Sequence, residues 1–120
     1  MTEYIVLIPD NEKEWAAADE SERQRVYGKH REFSDALAER GHKMTGGAEL
    51  AESTAAKVVR RSASGGLAIT DGPYAEAAEQ LSGFYLIETD DLDGLLDTVG
   101  ILAEGEGALE VRQCLSGGDG

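Results

Sequence analysis

Apolar positions recur along the chain with two different periods, and the change between them outlines the elements. Tyr4–Ile8 (YIVLI) is a continuous β-rich apolar run ended by Pro9-Asp10-Asn11, as suits a strand covered on both faces. Asn11–Asp19 predicts a short helical turn in which Trp15 packs down as a lid or at an interface. From Ser21 to Arg40 the period is helical: Val26, His30, Phe33 and Leu37 fall at spacings of four, three and four. Ser21 suits the N-cap and Gly41 the stop. His30 therefore lies on the face that packs on the sheet, whereas His42, just past the stop, reads as exposed and carries no role.

Gly41–Leu50 predicts a second strand, bent or bulged at Gly46-Gly47. Ala56–Arg61 and Leu67–Thr70 read as a hairpin about Ser62–Gly66, a loop without the Lys-Ser/Thr that a phosphate loop needs. Tyr74–Gln80 predicts one helical turn and Gly83–Glu88 a second central strand. Asp90, Asp91 and Asp93 open a second long helix, and capping explains them better than a metal cluster does. Its apolar stripe is Leu92, Leu95, Leu96, Val99 and Leu102, and it ends near Gly105. Ala108–Leu115 is the final strand, and residues 116–120 are expected to be a flexible tail.

This order predicts a single α+β domain over residues 1–115: a ferredoxin-like sandwich with two helices on one face of an antiparallel sheet. Because Tyr4–Ile8 and Phe84–Ile87 are apolar on both sides, the second sheet face needs a cover, and a homodimer supplies one. Charge narrows the partners. With 24 acidic against 11 basic residues the formal charge is −13, a field that repels phosphate backbones and argues against direct nucleic-acid binding. The first apolar run is too short for a membrane span or signal peptide, so the expectation is a cytoplasmic protein. The single cysteine, Cys114, excludes an intrachain disulfide and reads as a structural thiol. Two histidines far apart, with no HxH or HxxxH spacing, give no metal site, and no cofactor is called for.

The densest chemistry lies in Thr70–Glu76 (TDGPYAE), where a strand runs into Asp71-Gly72-Pro73 and carboxylates follow. The long run LAITDGPYAEAAEQLSGFYLIETDDLDGLL, together with YIVLIPD, GGAEL and LEVRQC, resembles the YCII-related proteins of the DGPF type across nearly the whole chain. Asp71, Gly72, Pro73, Glu76, Glu79, Gly83, Phe84 and Tyr85 match the family's run; Tyr74 replaces its phenylalanine and Ala78 its lysine. The resemblance implies a dimeric α/β barrel and a cleft histidine in the first helix paired with an aspartate. His30-Arg31-Glu32-Phe33 fits that placement, and the acid that follows in the same helix is Glu39. It also implies an association with extracytoplasmic-function sigma factors.

Two functions follow. In the first, a small enzyme uses His30 and Asp71 as an acid–base pair on a small polar substrate, since an imidazole of ordinary pKa near 6.5 suits proton transfer at neutral pH. Tyr4, Tyr74, Glu76 and Phe84 then contact the substrate in a cleft between helix and sheet. In the second, a non-catalytic dimer binds a small ligand or a protein of the sigma-factor type, and Asp71-Gly72-Pro73 is a structural corner.

Overall fold

The computed structural model describes residues 1–115; the expected tail lies outside them. Strand β1 (Thr2–Asn11) leads through helix α1 (Glu12–Ala17) into helix α2 (Glu20–Glu39) and strand β2 (Lys43–Glu49). A hairpin of β3 (Lys57–Arg61) and β4 (Leu67–Asp71) comes next, then β5 (Glu79–Thr89), helix α3 (Leu92–Glu106) and β6 (Glu110–Gln113). The main sheet has the order β2-β5-β1-β6 with every neighbouring pair antiparallel, which is the ferredoxin-like α+β arrangement.

Side-chain alternation fixes the two sheet faces. Val6 lies opposite Tyr85 and Val111, and Tyr4 opposite Ile87, all toward the helices. There Val6 and Ile87 join Phe33 and Leu37 of α2 and Leu95, Val99 and Leu102 of α3 in one buried core. Ile5, Leu7 and Leu86 stand half-buried on the opposite face.

Local chemistry accounts for the helix ends. Asp19, two residues before the expected Ser21, caps α2 by accepting from the Glu22 N–H at 2.8 Å. Asn11 accepts from Lys13 and Glu14 N–H at the start of α1, and Asp91 from the Gly94 N–H at the start of α3. Within α3, Leu92 and Leu96 face solvent, and Thr98 replaces them among the buried positions. The expected helical turn over Tyr74–Gln80 is absent; the chain bends there and β5 begins at Glu79. The expected bulge in β2 is present, one position earlier, as a register shift between Met44 and Gly46.

Two further differences bear on the site. His42 is buried, 5% exposed, with Nδ1 at 2.8 Å from the Thr89 hydroxyl, so it pins the start of β2 to the end of β5. Helix α3 also continues through Gly105 to Glu106. Gly105 does not stop the helix, because its bare Cα is where α3 meets α2: a Cβ there would sit 3.2 Å from Lys29 Cγ. Gly107 is the cap, at φ +81°, a conformation glycine adopts without steric cost.

Candidate functional site

Three elements converge on His30. It projects from α2 along the stripe that buries Val26 and Phe33, and is itself only partly covered, with 21% of its side chain exposed. Glu106 reaches it from the last residue of α3, with Oε2 at 2.7 Å from Nε2. Tyr85 reaches it from β5, with its hydroxyl at 2.6 Å from Nδ1. A carboxylate can only accept a hydrogen bond, so Nε2 carries the proton facing Glu106. In a neutral imidazole Nδ1 then accepts from the Tyr85 hydroxyl. Tyr85 in turn leans on Phe33, ring centres 5.4 Å apart, and is thereby held by the core. Gly47 of β2 allows this packing: a Cβ there would lie 2.7 Å from the Phe84 carbonyl oxygen and 2.9 Å from a Tyr85 ring carbon.

His30, Gly47, Tyr85 and Glu106 line a cavity of about 650 Å³ between α2, α1 and the β2–β5 end of the sheet, a volume that suits a small molecule. One wall is aromatic: Trp15 meets Tyr27 edge-on at 5.7 Å. Arg23 holds that wall by lying against the Trp15 ring and donating to the Trp15 and Ala16 carbonyls. Glu12 fastens the loop after β2 by accepting from the Ser53 N–H and hydroxyl.

The electrostatics of the cavity are one-sided. Asp10, Glu12, Glu49, Glu52 and Glu106 contribute five carboxylates, and neither Lys nor Arg is among the described lining residues. Burial, and then the charges of Glu106, Glu14 and Glu12, push the Asp10 carboxyl above its ordinary value, against a backbone hydrogen bond that lowers it. Burial and the charges of Glu106 and Glu49 push the Tyr85 phenol up in the same way. Tyr27 is raised by burial and by Glu49, to which its hydroxyl donates at 3.2 Å. Both phenols are therefore protonated at neutral pH, and Tyr85 is a hydrogen-bond donor.

The residues singled out from sequence separate into two groups. His30 and Phe84 line the cavity, and Tyr4 packs against the core beneath it. Asp71, Tyr74 and Glu76 lie elsewhere, exposed on and beside the β3–β4 hairpin. The Asp71 carboxylate meets Lys57 Nζ, its cross-strand neighbour, and is 79% exposed; His30 meets Glu106 in its place. Glu39, the acid that follows His30 in the same helix, ends α2 as an exposed residue. Tyr85 and Glu106 were both accessible to sequence reasoning. Glu106 extends the stripe Leu95, Val99, Leu102 by one further helical step of four, and Tyr85 alternates with Gly83 and Ile87 on the helix-facing side.

The fold and cavity define a ferredoxin-like α+β domain with a histidine-centred cleft. The chain belongs to the YCII-related domain family, whose model matches residues 2–114. It is also similar to an uncharacterised protein of Rhizobium meliloti (strain 1021), 38% identical over 112 residues that cover 91% of this chain and 89% of that one.

Proposed function

We propose that the cavity binds a small polar molecule and that His30 drives acid–base chemistry on it. The observation that carries this reading is the imidazole held at 2.6 and 2.7 Å between a phenol and a carboxylate, in the wall of a cavity of ligand size. Glu106 fills the role expected of Asp71, orienting the ring and stabilising the imidazolium when it forms. The carboxylate lining supports a neutral or cationic ligand over an anionic one, because an anion would enter without a lining cation to compensate it. A proton taken from one atom of the ligand and returned to another requires no co-reactant, so a proton shift is the simplest reaction that suits the site.

The test is solvent deuterium exchange. Small neutral and cationic carbon acids are incubated with the protein in D2O and followed by proton NMR. Exchange above the blank for a subset of them, lost in His30→Ala, is the expected result. Exchange equal to the blank throughout, or unchanged in His30→Ala, would overturn the reading.

A homodimer is supported by a separate observation. The molecule measures 53 × 44 × 17 Å with a radius of gyration of 16.7 Å. A compact domain of this length has about 13–14 Å. Ile5, Leu7 and Leu86 on one sheet face and Val59, Leu67 and Ile69 on the hairpin together form apolar surface for a second copy to cover. Sedimentation velocity that finds only monomer at micromolar concentrations would remove this reading.

A further inference from the structure

We infer that Tyr85, not His30, is the group that exchanges protons with the ligand, and that Glu106, His30 and Tyr85 form a relay. This rests on the acid–base reading of the cavity and assigns its parts. Both imidazole nitrogens are already engaged within the protein, Nε2 with Glu106 and Nδ1 with Tyr85, so the ring has no nitrogen left for a ligand. The Tyr85 oxygen is different. After donating its hydrogen to Nδ1 it keeps lone pairs, and it belongs to a residue that lines the cavity.

The relay works in two states. In the first, neutral His30 accepts the phenol hydrogen, and the Tyr85 oxygen is ready to take a proton from the ligand as its own proton moves to Nδ1. In the second, the imidazolium is paired with Glu106 and donates to the phenol oxygen, so the phenol O–H is free to point at the ligand. Returning the proton reverses the same two transfers. Nothing is consumed, and the charge that appears on the imidazole lies next to the Glu106 carboxylate, only 11% exposed. His30 and Glu106 act through Tyr85 and are positioning residues, whereas Tyr85 is the group in contact with the ligand. The two supports of Tyr85, the Phe33 ring and the close approach permitted by Gly47, hold its oxygen in place.

Phenylmethanesulfonyl fluoride tests the assignment without a known substrate. Attack by the Tyr85 oxygen forms an S–O bond, breaks the S–F bond and releases fluoride, while the phenol proton passes to His30 Nδ1. The adduct is located by peptide mass spectrometry. The expected result is labelling at Tyr85 ahead of Tyr27 and of Tyr74, which is 82% exposed. Labelling should slow by about a hundred-fold in both His30→Gln and Glu106→Gln, the range general-base assistance supplies. Labelling of His30 in the unaltered protein would overturn the relay while leaving the acid–base reading intact. Labelling of Tyr74 at least as fast as Tyr85, or no labelling of Tyr85, would also overturn it, with deuterium exchange deciding the wider reading separately. Nitrogen-15 NMR of the unaltered chain guards against variants that misfold. With the ring neutral, the His30 Nδ1 resonance should report an acceptor, and should move in Tyr85→Phe while the Nε2–H stays in place; a neutral ring with its proton on Nδ1 and none on Nε2 overturns the relay.

Discussion

The corner at Asp71–Glu76 and the cleft around His30 contain similar chemical groups, and they differ in what surrounds them. Each has a carboxylate beside a cationic or titratable nitrogen and a tyrosine nearby. In the corner, Asp71 pairs with Lys57 while both are mostly in water, and Tyr74 stands 82% exposed. In the cleft, Glu106 and Tyr85 close on His30 where little solvent remains. The same pairing is weak in the first setting and strong in the second, because water screens charge and competes for every hydrogen bond. A chemically rich motif in a sequence becomes a site only where packed elements exclude solvent from it.

The comparison can be broken or sharpened by substitution. The largest effect belongs to the core under the cleft: Phe33→Ala should cost about 3–5 kcal/mol in urea denaturation, since Phe33 is fully buried against Tyr85. Ile69→Ala on the hairpin, at a position 61% exposed, should cost less than about 0.5 kcal/mol under monomeric conditions. A loss well above that would mean that the hairpin is covered, and the contrast would fail.

Gly47→Ala comes next, at about 1–3 kcal/mol, because the added methyl group meets the Phe84 carbonyl and the Tyr85 ring. Its signature is a moved His30 Nδ1 resonance as well as a lowered urea midpoint. Glu106→Gln should then cost about 1–2 kcal/mol, as expected of a largely enclosed charge-assisted hydrogen bond. Asp71→Asn should fall below about 0.5 kcal/mol, as for exposed ion pairs in general. Equal losses at the two carboxylates would erase the distinction drawn between the two regions.

The smallest effect is a pH dependence. The folded-state pKa of Tyr85 is raised, mainly by burial and then by Glu106 and Glu49. Above the ordinary tyrosine value near 10 the native state therefore holds a proton that the unfolded chain has released, and stability falls as pH rises through that window. Ultraviolet titration should show Tyr27 and Tyr85 ionising late, and Glu106→Gln should bring Tyr85 earlier. Tyr85→Phe should remove this part of the alkaline loss. Unchanged titration in Glu106→Gln would mean that burial and Glu49 set the shift without Glu106.

Much of this molecule was determined by local sequence. The two apolar periods placed both long helices and the central strands, and the stripe through Val26 and Phe33 put His30 on the sheet-facing side of α2. Those features follow from backbone periodicity and burial, which each segment carries within itself. What His30 meets was decided by tertiary structure. Glu106 is 76 positions away and Tyr85 is 55, and both arrive through the crossing of α3 on α2 and the register of β5 against β1. Gly105 illustrates the point, since a glycine that locally suggests a helix end is used instead to let two helices touch, and the helix runs on to deliver Glu106. His42 does as well: its neighbours in sequence suggest exposure, and only the pairing of β2 with β5 places it under cover beside Thr89. The Asp71 corner was conspicuous because turns concentrate glycine, proline and acids, but a turn satisfies its own backbone and needs no packed partner, so its residues remain in water.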